Sequence, residues 1–402
     1  MAADRVCTRY NDDDGIDIGC HLVTKEYMLE AYPSLVPWMK APGLWMWGFA
    51  NDGRLGDNSL INKSSPVQTA SCGTNWRSVS AGAQHSAAIK SDGTLWLWGL
   101  GIGGRLGDNT NAVSQSSPVQ TLSGGNNWKN VSVGADHTAA IKTDGTLWLW
   151  GVNTNGNLGR NSIISASSPV QTISGGTNWQ SVSIGSFHSA GIKTDSTLWV
   201  WGLGTNGRLG TNDVISRSSP VQTISAGTDW KQVNLGTQHS AAIKGDGTLW
   251  LWGYNGAGRL GTNNIVDASS PVQTISGGTN WRSASIGGYH SAAIKTDGSL
   301  WAWGNNTNGR VGDGTATNRS SPVQTIIGGN NWRSLSAGTS HTAAIKADGT
   351  LWLWGGNACG QLGINSVVNQ SIPIQTISEG NNWRNVSAGN FHTAAIRDEG
   401  DL

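Results

Sequence analysis

A histidine recurs through this chain at His85, His137, His188, His239, His290, His341 and His392, with successive separations of 52, 51, 51, 51, 51 and 51 residues. The same block surrounds each one; the copy at 230–253 reads WKQVNLGTQHSAAIKGDGTLWLWG. A period this constant over most of a chain means one supersecondary unit stacked many times. In the copy beginning at Trp230 the strand-like runs are 230–235, 239–244, 249–252 and 271–275, with Asp246-Gly247 as a hairpin turn. Alternation puts Trp250 and Trp252 on one face of the third strand and Leu249 and Leu251 on the other. Both faces are apolar, so neighbouring units must cover both. Four antiparallel strands per period of about 51 residues point to a β-propeller. A helical solenoid would need 3.6-residue apolar periodicity, which is missing between 44 and 402. The first strand ends in small residues, as in Ser80-Ala81-Gly82, which suits a crowded axis. The fourth opens on proline, as at Pro66, Pro118, Pro169, Pro220, Pro271, Pro322 and Pro373, which reads as an outer edge.

The two ends complement each other. The first Leu-Trp-x-Trp-Gly, at 44–48, has no first and second strands before it, and the last copy stops at Leu402 where its third strand is due. Runs 383–388 and 392–397 are therefore expected to join 44–48 and 66–69 in one composite blade, which leaves no open sheet edge. The expected fold is all-β: a seven-bladed β-propeller of four-stranded antiparallel blades over 44–402, preceded by a short, partly helical arm over 1–43. Three tryptophans per blade and Trp38 in the arm account for all 22, and the blade tryptophans read as core. In the arm, Thr24 suits the N-cap of a helix that Pro33 ends. Tyr27, Met28, Leu35 and Trp38 give it apolar side chains, to be buried either on its own propeller or on another subunit. The acidic run 11–17 hints at a calcium loop but lacks the distal Glu, so a solvated turn is expected there, including Asp12 and Asp17.

Charge and chemistry narrow the function. A net charge of +1 with 13% charged residues argues against a strongly cationic nucleic-acid surface. No apolar run reaches membrane-spanning length, and no signal-peptide core is visible. Cys7, Cys20, Cys72 and Cys359 show no metal-site spacing. Seven equivalent histidines are spread around a ring rather than converging on a metal, so a structural hydrogen bond is expected of each. Nothing chemical occurs once, which points away from an enzyme and from a cofactor. Gly-Arg-Leu-Gly at 53–56, 207–210 and 258–261 is a repeat turn without the helix a phosphate loop wants. Arg54, Arg105, Arg208, Arg259 and Arg310 are expected on a solvated rim or stacked on neighbouring Trp. The repeats differ mainly before each His and after the third strand, whereas the turns after strands two and four are nearly constant. In an up-down-up-down blade the variable loops share one face. Gln84, Asp136, Phe187, Gln238, Tyr289, Ser340 and Phe391 are the expected binding residues of that face, its aromatics serving as anchors.

Gly-x-x-His-[Ser/Thr]-Ala-Ala-Ile-Lys, Asp-Gly-Thr-Leu-Trp-x-Trp-Gly and Asn-x-x-Gly-x-Leu-Gly together resemble the repeat of the regulator of chromosome condensation family, over about 44–402. The resemblance implies a seven-bladed propeller closed by both termini. The founding member is a nucleotide exchange factor for the GTPase Ran, with an inserted β-wedge and a basic tail. This sequence has no long insertion and an acidic arm, so it departs from that member on both counts. A bacterial relative looks like an inhibitor of β-lactamases that uses the propeller face. The arm, IDIGCHLVTKEYMLEAYPSLVP, resembles leaders in structural proteins of marine cyanobacterial viruses. These resemblances imply first a non-enzymatic virion component (tail, fibre or decoration), held to other subunits by 1–43 and presenting its variable face to a protein or glycan. The alternative is a soluble, cytoplasmic regulator or inhibitor that binds a GTPase or hydrolase. Neither reading calls for nucleic acid or membrane insertion.

Overall fold

The computed structural model describes residues 42–398 apart from 71–74, 123–124, 175, 225–226, 328 and 379, together with four short strands near the N-terminus. Seven four-stranded antiparallel sheets follow one another around a ring. In the blade that begins at Trp230 the strands are Trp230–Leu235, His239–Lys244, Leu249–Gly253 and Ala268–Gln273. The composite blade is made of Trp383–Ala388, His392–Arg397, Gly43–Gly48 and Lys63–Gln68, so the two ends of the chain close the ring as expected.

The fourth strand corrects one expectation. It starts three residues before the proline, at Ala268 rather than Pro271. Gly253 pairs with Ala268 and Leu251 with Val272, with a bulge between them. Pro271 lies in that bulge, where no ladder N–H is needed.

The turn motif Asp-Gly-Thr-Leu-Trp is a short relay. Asp246 accepts from the Thr248 backbone N–H at 2.9 Å and from its hydroxyl at 2.7 Å, and Trp250 Nε1 donates to that hydroxyl oxygen at 2.8 Å. Gly247 sits at φ +81°, which a side chain would strain.

Both apolar faces of each blade are used. Ala241, Ile243, Leu249, Leu251 and Leu260 of one blade pack on Trp281, Ala284, Ile286, Ala293 and Trp303 of the next. Trp281 and Trp303 meet with ring centroids 6.1 Å apart. The tryptophans divide into two kinds. The one opening the first strand and the second one of the third strand are fully buried, as Trp230 and Trp252 are. The first one of the third strand, such as Trp250, is half-buried. A lysine ammonium lies over it: Lys244 Nζ is 5.4 Å from the Trp250 centroid and 5.1 Å from that of Trp230.

At the axis, backbone meets backbone. A Cβ on Gly82, Gly134, Gly185, Gly236, Gly287, Gly338 or Gly389 would lie only 2.2–2.5 Å from the carbonyl oxygen of the next glycine of the ring. Serine hydroxyls cap the exposed N–H groups of the innermost strands: Val133 N donates to Ser80 Oγ at 3.0 Å, and Ala81 N to Ser387 Oγ at 2.9 Å.

Near the N-terminus Arg5–Cys7 pairs with Cys20–Leu22, setting Cys7 opposite Cys20. The acidic run forms a second pair, Tyr10–Asp12 with Gly15–Asp17. The expected arm helix, with Tyr27, Met28, Leu35 and Trp38, lies outside the described residues.

Candidate interaction face

The loops between first and second strands and those between third and fourth strands meet on one face. Gly236 N donates to His239 O at 2.9 Å, which tightens the Gly-x-x-His turn, and Tyr254 N donates to Gln238 O at 3.0 Å, which ties the exit of the third strand to it. Each blade is then stitched to the next beneath this face. His239 Nε2 lies 3.0 Å from Ser291 Oγ of the following blade, and that hydroxyl donates to Arg259 O at 2.8 Å. Trp303 Nε1 donates to the same carbonyl at 2.9 Å, so both of its lone pairs are used. The equivalent His–hydroxyl contact occurs at all seven junctions, ending with His392 and Ser86 at 3.0 Å, which closes the circle.

The chemistry of this contact fixes the tautomer. The Ser or Thr hydrogen is already given to the carbonyl, so the hydroxyl accepts from His, and the proton resides on Nε2. Nδ1 is buried without a hydrogen-bond partner at each of the seven. Burial first, and the nearby arginines second, hold these imidazoles neutral; His137 and His341 are lowered to about 3. The histidines are structural donors, spread around the ring rather than gathered at a site.

The five arginines correct the expected solvated rim. Arg54, Arg105, Arg208, Arg259 and Arg310 are only 3–7% exposed. Arg208 Nε donates to Thr205 O at 2.9 Å and its NH1 to Thr237 O of the next blade at 3.0 Å, which makes the side chain an inter-blade clamp. Their ring contacts are with Phe49, Tyr254 and Tyr289, not with Trp.

Of the expected binding residues, Tyr289 and Phe391 are exposed, at 43% and 41%. Gln84, Asp136, Phe187 and Gln238 are half-buried. Asp136 pairs with Arg105 at 2.5 Å. Ser340 departs from the expected exposure: it is buried, accepting from Gln361 Nε2 at 3.2 Å and donating to Asn390 O at 3.3 Å.

The larger surface feature escaped sequence reasoning. Leu60-Ile61, Ile163-Ile164, Val214-Ile215, Ile265-Val266 and Val367-Val368 project from the third-to-fourth loops, 58–72% exposed, and Val113 stands at 52% in a sixth loop. The signal was available: paired aliphatics at one offset after Gly-x-Leu-Gly, in loops otherwise polar. They crown the variable face. The axial channel, lined by residues such as Ala81, Gly134 and Ile184, holds only about 80 Å³, far below a small-molecule pocket of about 300–1,000 Å³. The axis therefore offers no small-molecule cavity.

Comparison with known proteins supplies the lineage. The model of the RCC1-like domain matches residues 39–335, and models of the regulator of chromosome condensation (RCC1) repeat match 332–361 and 348–396. The chain belongs to the RCC1-repeat propellers. Among RCC1-repeat relatives, the ultraviolet-B receptor UVR8 of Arabidopsis thaliana is 30% identical over 86% of this chain and 80% of its own length. Mitochondrial RUG3 of the same plant is 27% identical over 74% of this chain and 69% of its own. Human HERC2, an E3 ubiquitin-protein ligase, is 28% identical over 88% of this chain but only 8% of its own length, so the likeness is confined to its RCC1 part. The solved structures of human WBSCR16 (TM-score 0.79, 21% identity, 89% of this chain and 99% of the other) and Saccharomyces cerevisiae Prp20p (0.80, 18%, 90% and 92%) share the fold.

These relatives overturn the expected virion location. UVR8 and mitochondrial RUG3 are cellular proteins. The viral resemblance rested on the arm, whereas the RCC1-like match begins at residue 39. Members of the family are regulators and binding proteins, and none of the described helices is long and apolar enough to cross a membrane.

Proposed function

We propose that this RCC1-repeat propeller is a non-enzymatic regulator that binds a partner protein, a GTPase or hydrolase in the first instance, through its variable face. The observation that carries the reading is the crown of aliphatic pairs around that face, 58–72% exposed. Exposed apolar side chains grouped on one face are a feature of interaction sites. Tyr289 and Phe391 add aromatic anchors nearer the axis. The receptor role of UVR8, at 30% identity, supports a regulatory reading. The narrow channel and the sevenfold spread of the buried histidines support a binding rather than a catalytic reading.

The test is affinity capture from an extract of the source cells with three forms of the chain. Ile163→Ser/Ile164→Ser/Ile265→Ser/Val266→Ser with Tyr289→Ala and Phe391→Ala is expected to lose the captured protein by at least about tenfold. Lys129→Ala/Lys231→Ala, exposed at the opposite end of the first strands, is expected to retain it. Equal capture by all three forms, or capture dependent on the lysines alone, contradicts the reading. Binding to a glycan array that disappears with Tyr289→Ala would replace the protein partner by a glycan.

A further inference from the structure

The clamp arginines are not equally neutralised. Arg54 NH2 meets Asp52 at 2.9 Å, and Arg105 NH2 meets Asp136 at 2.5 Å. The repeat thus has two places from which a carboxylate can reach the guanidinium: two residues before the arginine, and the residue before the next histidine. In three consecutive blades both places are uncharged. They hold Asn206 and Gln238 for Arg208, Ala257 and Tyr289 for Arg259, and Asn308 and Ser340 for Arg310.

These three guanidinium groups bond only neutral acceptors. Arg208 donates to Thr205 O, Thr205 Oγ1, Thr237 O and Asn206 Oδ1. Arg259 donates to Gly256 O, Gly288 O and Gln238 Oε1, and Arg310 to Thr307 O and Thr339 O. Around them Asp213 is taken by Arg217 and Asp313 by Arg319, each at 2.6 Å. Asp267 is the remaining carboxylate nearby, and it already accepts from Asn255 N and Asn206 Nδ2. Desolvation lowers Arg208 and Arg310 to about 10, so all three stay charged at neutral pH. Among the described residues no carboxylate touches these guanidinium groups, and Asp267 acts on Arg259 only through its field; a buried charge so weakly paired is costly, and a ligand that supplies a carboxylate recovers part of that cost.

Building on the reading of this face as a protein-binding surface, we propose that the partner presents an acidic segment. Its carboxylates sit over Arg208, Arg259 and Arg310, and its chain lies against Tyr254 and Tyr289. Tyr254 lies 4.6 Å from the Arg259 guanidinium, and Tyr289 lies 5.7 Å from Arg259 and 5.4 Å from Arg310. A peptide fits better than a nucleic acid. In all three arginines Nε and NH1 are committed to backbone carbonyls, so the guanidinium groups act mainly through their field and cannot offer the whole fork that phosphates prefer.

The probe is a fluorescein-labelled ten-residue glutamate peptide, read by anisotropy at about 50 mM and about 500 mM salt. Binding at low salt that weakens at high salt is expected. Arg208→Gln/Arg259→Gln/Arg310→Gln should weaken it by at least about tenfold. Glutamine already occupies the equivalent position at Gln361, so the fold has a precedent for it. Gln238→Asp, which copies the natural Asp136 pair, should weaken it without lowering the melting temperature. No binding at low salt, unchanged binding in both variants, or binding of an oligothymidylate in place of the peptide would overturn the proposal. Should the peptide fail while capture still depends on the apolar crown, this inference alone falls; if capture is indifferent to the crown, the reading beneath it falls too.

Discussion

Acidification is expected to unfold this propeller cooperatively well above pH 4, with uptake of about seven protons. The seven repeat histidines are buried and held far below their ordinary value, by desolvation first and by the neighbouring arginines second. A group whose folded pKa is depressed contributes stability that is present above its unfolded value, near 6.5, and is lost as pH falls toward the folded one. The unfolded chain takes the proton; the folded chain has only a buried Nδ1 with no acceptor to receive a second N–H. Each histidine costs about 1.4 kcal/mol per pH unit in that window, and seven together about 10 kcal/mol per pH unit. Against a stability of about 5–15 kcal/mol, the transition should fall roughly half a unit to one and a half units below pH 6.5. The turn aspartates, such as Asp144 and Asp348, are also lowered, by the Thr hydrogen bonds first, but they lose stability only below about pH 4. Urea unfolding measured between pH 7 and 5 checks the slope. Replacing His239 and His290 by Gln should reduce it from about seven protons to about five. A slope of one proton or fewer would show that the ring of histidines is not titrating.

The second large effect is expected on removal of residues 383–402. This deletes Trp383–Ala388 and His392–Arg397 and takes from the strand Gly43–Gly48 the six register partners on that side. Trp47 loses the Trp383 ring 6.1 Å away, His341 loses Thr393, and Ser86 loses His392. The sheet edge of Gly43–Gly48 and the apolar faces of the two flanking blades open to water, and such an edge templates aggregation. The truncated chain should show no cooperative melt and should elute as aggregate. The control keeps all 28 strands of the propeller and omits what precedes Leu44. Arg397 pairs with Gly43, so a Thr-Asp-Gly-Thr linker can join Arg397 to Leu44 as the turns of the other blades do, with the chain reopened near residue 379. This permutant should melt cooperatively, within about 2 kcal/mol of the parent. A monomeric, cooperatively melting truncation would contradict closure by the composite blade.

Most of the fold could be read from periodicity because each blade repeats the same alternation. Seven histidines counted the blades, and the incomplete units at 44–48 and 383–397 foretold the composite one. What was misread depended on three-dimensional detail that strand alternation does not carry. Pro271 looked like a strand start, but a bulge opposite Gly253 admits it within the strand. Arg208 looked like a solvated rim because its type is usually exposed; its reach to Thr237 O of the next blade buries it. Trp250 was grouped with Trp252, although the two point to opposite ends of the packing: one is sealed and the other stands beneath a lysine. On the face itself, variation between repeats pointed to Tyr289 and Phe391, and both are exposed. The aliphatic pairs were passed over because variation in a loop was read residue by residue and not for its shared apolar character.

Hydrogen exchange of the propeller with and without its captured partner addresses the functional claim most directly. Slowed exchange is expected in the Gly-x-x-His turns and in the loops carrying Ile163-Ile164, Val214-Ile215 and Ile265-Val266, with the Asp-Gly turns unchanged. Protection centred on the Asp-Gly turns would place the partner on the uniform face and contradict the account.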